Sequence, residues 1–128
     1  MEKRVERDLN PVFRQARDAV ERLLGKYGFR LIREVYDHAE FGSAQVEYHH
    51  RAHWLRLTWD GKERQLELLG AISRDQHVPP GASAWHALGT TRSSDRSFVT
   101  HEPGPTTDAH IAELLTQIEL FRASKANI

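Results

Sequence analysis

Apolar residues recur at spacings of three and four from Leu9 through Val12, Phe13, Ala16, Val20, Leu23 and Leu24 to Tyr27. That spacing draws one stripe along a helix. Asn10 before Pro11 suits an N-cap followed by proline at the first helical position, and Gly28 or Gly25 can supply the left-handed stop. A helix over about 10–27 is predicted. The period then changes to two. Phe29 to Tyr36 is rich in β-branched and aromatic residues and reads as a strand, with His38–Ser43 a loop around Gly42. Ala44, Val46 and Tyr48 alternate with Gln45, Glu47 and His49; Leu55, Leu57 and Trp59 alternate with Trp54, Arg56 and Thr58. Asp60-Gly61 is the strongest short hairpin signal, and Leu66 and Leu68 carry the alternation on towards Ile72.

Side-chain faces constrain the register, because a one-residue slip inverts a whole strand. Keeping apolar faces together between the second and third strands sets Tyr48 opposite Leu55, Val46 opposite Leu57 and Ala44 opposite Trp59. The other face then carries Glu47 opposite Arg56 and His49 opposite Trp54, an ion pair and a ring pair of the kind that stabilises sheets. A two-residue turn at Asp60-Gly61 sets Trp59 opposite Lys62, Leu57 opposite Arg64 and Leu55 opposite Leu66.

From Arg74 to Pro105 the pattern dissolves. Pro79-Pro80-Gly81 breaks the chain, Ser83–Gly89 reads as a helical turn or buried anchor, and Thr90–Ser97 is polar. A last helix is predicted over about 107–123, with Thr107 as N-cap, Asp108 in the first turn and a stripe of Ile111, Leu114, Leu115, Ile118 and Phe121. The expected architecture is one α+β domain over 1–128. An antiparallel meander of about four strands (about 29–72) carries helices from both ends, and an irregular segment spans 74–105.

Composition narrows the chemistry. The 128 residues carry 18 Lys+Arg against 18 Asp+Glu, with 8 His and no Cys. Cysteine-free chains have no disulfides, thiolate zinc sites or cysteine nucleophiles. The basic residues Lys3, Arg4, Arg7, Arg14, Arg17 and Arg22 are interleaved with acids, as on a solvated, ion-paired helix face. That cancellation argues against nucleic acid as a partner. The opening residues lack an apolar signal-peptide core and no run is long enough for a membrane span, so a cytoplasmic protein is expected.

Catalytic patterns are missing. There is no G-x-S-x-G elbow, P-loop or G-x-G-x-x-G fingerprint, and nothing in their spacing assembles Ser83, His86 and Asp95. His49, His50 and His53 spell H-H-x-x-H, and imidazole is a common ligand for zinc, copper or nickel. The hairpin register splits them, so a solvated hairpin is the economical reading; no catalytic residue, cofactor or metal is assigned. Trp54, ringed by His49, Glu47, Arg56 and Glu67 on the second sheet face, has the composition of an interface centre. The alternative is that the 74–105 segment or the last helix covers it.

The run LLGKYGFRLIREVYD followed by FGSAQVEYHHRAHWLRLTWDGKERQLEL resembles a pattern of small uncharacterised bacterial proteins, some of them immunity proteins of polymorphic or contact-delivered toxin systems. The resemblance covers about residues 12–72; its motifs are structural and carry over no site residue. It implies non-catalytic binding of a protein partner, a toxin, by occlusion. The runner-up is a small-molecule-binding or enzymatic domain with a pocket between sheet and 74–105 segment, using His86 and Tyr48. The sequence leaves the oligomeric state open, a homo-oligomer included.

Overall fold

A computed structural model describes residues 11–37, 39, 42–62, 65–73, 80–91 and 105–123. Helix α1 (Pro11–Lys26) leads into strands β1 (Arg30–Asp37), β2 (Ser43–His50), β3 (His53–Asp60), β4 (Gln65–Ile72) and β5 (His86–Thr91), and α2 (Pro105–Ala123) follows. Proline begins α1, where its missing N–H costs nothing. The helix ends as glycine allows: Gly28 takes φ +82°, and the Phe29 N–H donates to the Leu24 carbonyl at 3.2 Å. That bond spans five residues and marks a Schellman cap. The candidate cap Asn10 and the stripe residue Leu9 lie outside the described residues.

Each strand pairs antiparallel with its sequence neighbour, giving the order β1-β2-β3-β4-β5. The β2–β3 register is the one required by the apolar faces: Ala44 opposite Trp59, Val46 opposite Leu57, Glu47 opposite Arg56, Tyr48 opposite Leu55 and His49 opposite Trp54. The β3–β4 register differs from the two-residue turn. Asp60 pairs with Gln65, Trp59 with Leu66, Leu57 with Leu68 and Leu55 with Gly70, so four residues intervene between the strands. Asp60 and Gly61 spend their hydrogen bonds otherwise. Asp60 Oδ1 accepts from the Lys62 N–H and the Gly61 N–H donates to Ser43 Oγ, both at 3.0 Å. The wider loop also leaves Lys62 exposed, where the tight turn sets it opposite Trp59 on the apolar face. Parity is the same in both registers, which is why the faces were right and the pairs wrong.

The α+β meander is as expected, and among the described residues it has five strands, one beyond the roughly four that the spacing indicates. β5 lies within the stretch expected to be irregular, after a 3-10 turn at Ala82–Ala84. α2 likewise starts two residues early: Pro105 opens it and Thr107 lies inside its first turn.

One face of the sheet is covered. Val12, Phe13, Ala16, Val20 and Leu24 of α1 and Ile111, Leu114, Ile118 and Phe121 of α2 form one buried cluster with Val46, Tyr48, Leu55, Leu57, Trp59, Leu66 and Leu68. Each large apolar side chain so buried stabilises the fold by about 1.5–3 kcal/mol relative to exposure. Gly70 fits under α2 because it has no side chain: a Cβ there meets Phe121 Cε1 and Leu88 Cδ1 at 2.9 Å. Arg17 departs from its expected place on a solvated face. It is 2% exposed, with Nη2 2.9 Å from Asp18 Oδ1 and Nη1 3.2 Å from Glu34 Oε1 on β1. Tyr48 Oη donates to Glu21 Oε2 at 2.7 Å, a second polar tie between α1 and the sheet. The helices are joined at their far ends, where the Arg122 guanidinium lies 3.8 Å from the Tyr27 ring centre. Hydrogen bonds from Tyr27 and then Arg122 hold the Glu119 carboxyl below its usual range.

Candidate functional site

Strand alternation sends Gln45, Glu47 and His49 of β2, Trp54, Arg56 and Thr58 of β3, and Glu67 and Leu69 of β4 to the face opposite the helices. Among the described residues no helix covers this face. It divides into two regions.

The first is a closed polar network. Glu47 Oε1 accepts from Gln45 Nε2 at 2.9 Å and from Arg56 Nη2 and Nε at 3.0 and 3.2 Å. Its side chain is 8% exposed against 26% for Arg56. The Glu47 charge is therefore spent within the fold, and Arg56 holds the accessible end of the pair. The Arg56 guanidinium also sits 4.1 Å from the ring centre of Trp85, a cation–π contact. Next along the strands, His49 stacks on Trp54 with centroids 3.9 Å apart and rings tilted by 23°, and a His49 ring nitrogen bonds the Arg51 carbonyl. Trp54 is only 3% exposed, and its Nε1 is buried without a hydrogen-bond partner. The five residues singled out from the sequence thus share one face, but Trp54, His49 and Glu47 are buried in it. Arg56 and Glu67 are the half-exposed members.

The second region is an open groove of about 460 Å³ at the end of the sheet near the β3–β4 turn. Val35, Gln45, Thr58 and Glu67 form a row across four neighbouring strands along it, with Asp37 and Asp60 beside them. Among the described residues, three carboxylates line it, those of Asp37, Asp60 and Glu67. The arrangement offers hydrogen-bond acceptors to a cationic, donor-rich group.

The remaining candidates are dispersed. His50 and His53 face each other at the end of the β2–β3 hairpin, whereas His49 points to the other side. Phe29 lies against His50 and the Phe121 edge against His53, with centroids 5.4 and 5.0 Å apart. Among the described residues no group of three or more His, Asp or Glu converges on a metal position. Tyr48 is buried beneath α1 on β2, and His86 is exposed on β5. With β3 and β4 between them, their strands stand about 14 Å apart. Ser83 is exposed in the 3-10 turn and Asp95 lies outside the described residues. No described helix is long and apolar enough to cross a membrane.

Sequence reasoning read the segment around Trp85 as an anchor without assigning Trp85 to this face, and it missed the groove acids Asp37 and Asp60. Trp85 was obscured by the prolines before it. The two aspartates followed from alternation once their strands were extended by one residue. No known protein-family model, curated protein or solved structure matches this chain.

Proposed function

We propose that the chain is a non-catalytic protein-binding domain that works through the helix-free face of its sheet. Its sharpest form is an immunity-type role in the bacterial cytoplasm, in which the face occludes a toxin by shape and charge. The observation that supports this reading is the groove: Asp37, Asp60 and Glu67 line it, beside an arginine held between Glu47 and Trp85. Such a surface fits a basic projection on a partner protein, and opposite potentials raise encounter rates as well as specificity. The pairing of Glu47 with Arg56 fixes that arginine before contact, which lowers the ordering cost of binding.

The test is co-expression with the product of a neighbouring toxin gene. The wild-type chain should restore growth, and Glu67→Lys or Asp37→Lys should abolish rescue while circular dichroism stays native. Rescue that persists in both variants, or no protection by the wild-type chain, counts against the proposal.

A further inference from the structure

Among the described residues strand β1 is an edge of the sheet, and it is unusually apolar for an edge: Leu31 and Ile32 are each 45% exposed and Val35 is 37% exposed. An edge strand offers a row of unpaired N–H and C=O groups, and proteins commonly blunt it with charge. Here the charges are ordered. β1 reads Arg-Leu-Ile-Arg-Glu-Val-Tyr-Asp, with both cations in its first half and both anions in its second. A copy laid parallel sets like charges together. A copy laid antiparallel sets the basic half against the acidic half, with apolar residues between.

We infer that two copies of the chain pair antiparallel through the free edges of β1, continuing the sheet across a twofold axis. The bulge between Leu31 and Arg33 fixes which side chains share a face. Arg30, Arg33, Val35 and Asp37 lie on the helix-free side, with Leu31, Glu34 and Tyr36 on the helix side. Opposed residues in antiparallel strands must share a face, and two registers that obey this bring an arginine to Asp37. In one, with the Ile32 bulge kept in both copies, Arg30 lies opposite Asp37 of the second copy, Leu31 opposite Tyr36 and Arg33 opposite Val35, while the two Glu34 side chains, each ion-paired to its own Arg17, meet on the axis. In the other, Arg33 lies opposite Asp37 of the second copy and Val35 meets its own equivalent on the axis. Both bury apolar surface that the single chain leaves in water. Both also bring the two grooves together, since Val35 and Asp37 line them. The pairing engages Asp37, a groove carboxylate, so Ile32→Lys tests it apart from the groove and Glu67→Lys, on β4, tests the groove apart from the pairing.

Analytical ultracentrifugation of the full chain over a concentration series tests it. The wild-type chain should show a reversible monomer–dimer equilibrium. Ile32→Lys, outside the groove, should abolish the dimer. Asp37→Arg should weaken it about tenfold or more, because one substitution reverses two symmetry-related pairs. Adding Arg30→Asp or Arg33→Asp to Asp37→Arg should restore it and identify the register. As the chain has no cysteine, Val35→Cys gives a disulfide-linked dimer on oxidation only in the second register. Native circular dichroism in every variant separates lost pairing from lost folding. A chain that stays monomeric at all concentrations overturns the inference, as does a dimer unaffected by both Ile32→Lys and Asp37→Arg.

Discussion

Replacing Gly70 with alanine asks whether α2 and β5 are seated on the sheet as described. In an open strand position the substitution stabilises a protein by about 0.4–1 kcal/mol, because the unfolded chain loses freedom. Gly70 is not such a position. The added methyl meets Phe121 Cε1 and Leu88 Cδ1 at 2.9 Å and Phe121 Cζ at 3.0 Å, well inside the ~3.5–4.0 Å optimum for carbon contacts. The neighbours must withdraw by about half an ångström or more, and overpacking of this kind costs roughly 1–3 kcal/mol. The net expectation is a loss of about 0.5–2 kcal/mol, opposite in sign to the open-strand case. Urea denaturation followed by tryptophan fluorescence measures it directly. A double-mutant cycle with Phe121→Leu removes two of the three clashing atoms and should show about 0.5–1 kcal/mol of favourable coupling. If Gly70→Ala is as stable as the parent, or the two changes simply add, this packing is wrong.

Arg17→Met should cost about 2–4 kcal/mol in the same assay, because it leaves the half-buried Glu34 carboxylate without that cation. Arg17→Met with Glu34→Gln should recover most of the loss. Gly28→Ala should cost about 1–2 kcal/mol, since φ is +82° and the new Cβ also crowds His50 Cε1 at 3.2 Å. Trp54→Phe keeps an aromatic ring on His49 and removes an unsatisfied N–H, so its stability should stay within about 1 kcal/mol of the parent. Trp54→Ala should lose about 3–5 kcal/mol; a comparable loss for Trp54→Phe would show that the indole nitrogen has a partner.

Elements with a strong period were legible in the sequence, and so were their faces. The α1 stripe appears in the core, and the β2–β3 register follows from parity alone because both strands carry uninterrupted alternation. What stayed hidden depended on contacts remote in sequence. Asp60-Gly61 carries a tight-turn signature, yet its local bonds go to Lys62 and to Ser43 on the neighbouring hairpin. β5 interposes Ala87 and Gly89 between its larger residues and pairs through a bulge, so no alternation announced it. Arg17 sits in a run of charges that reads as solvated, and its ion pair with Glu34, seventeen residues away on β1, leaves no local signal. For the site, periodicity found the shared face of Glu47, His49, Trp54, Arg56 and Glu67. It could not tell which members would be buried, because burial depends on stacking and ion pairing across strands.

Sheet order that follows chain order has a consequence for biosynthesis. Every ladder among the described strands joins consecutive ones, so the hairpins from β1 to β4, with at most five residues between strands, can each close as soon as the second strand leaves the ribosome, whereas β5 follows β4 after thirteen residues. The helix layer is different. α1 is made first, but Phe121, which lies over Gly70, belongs to the final turn of α2. Until α2 emerges, the apolar side of β4 and β5 lacks part of its cover, and exposed surface of that kind drives aggregation of nascent chains. The interval between synthesis of β5 and of α2 is therefore when a chaperone matters most to this protein.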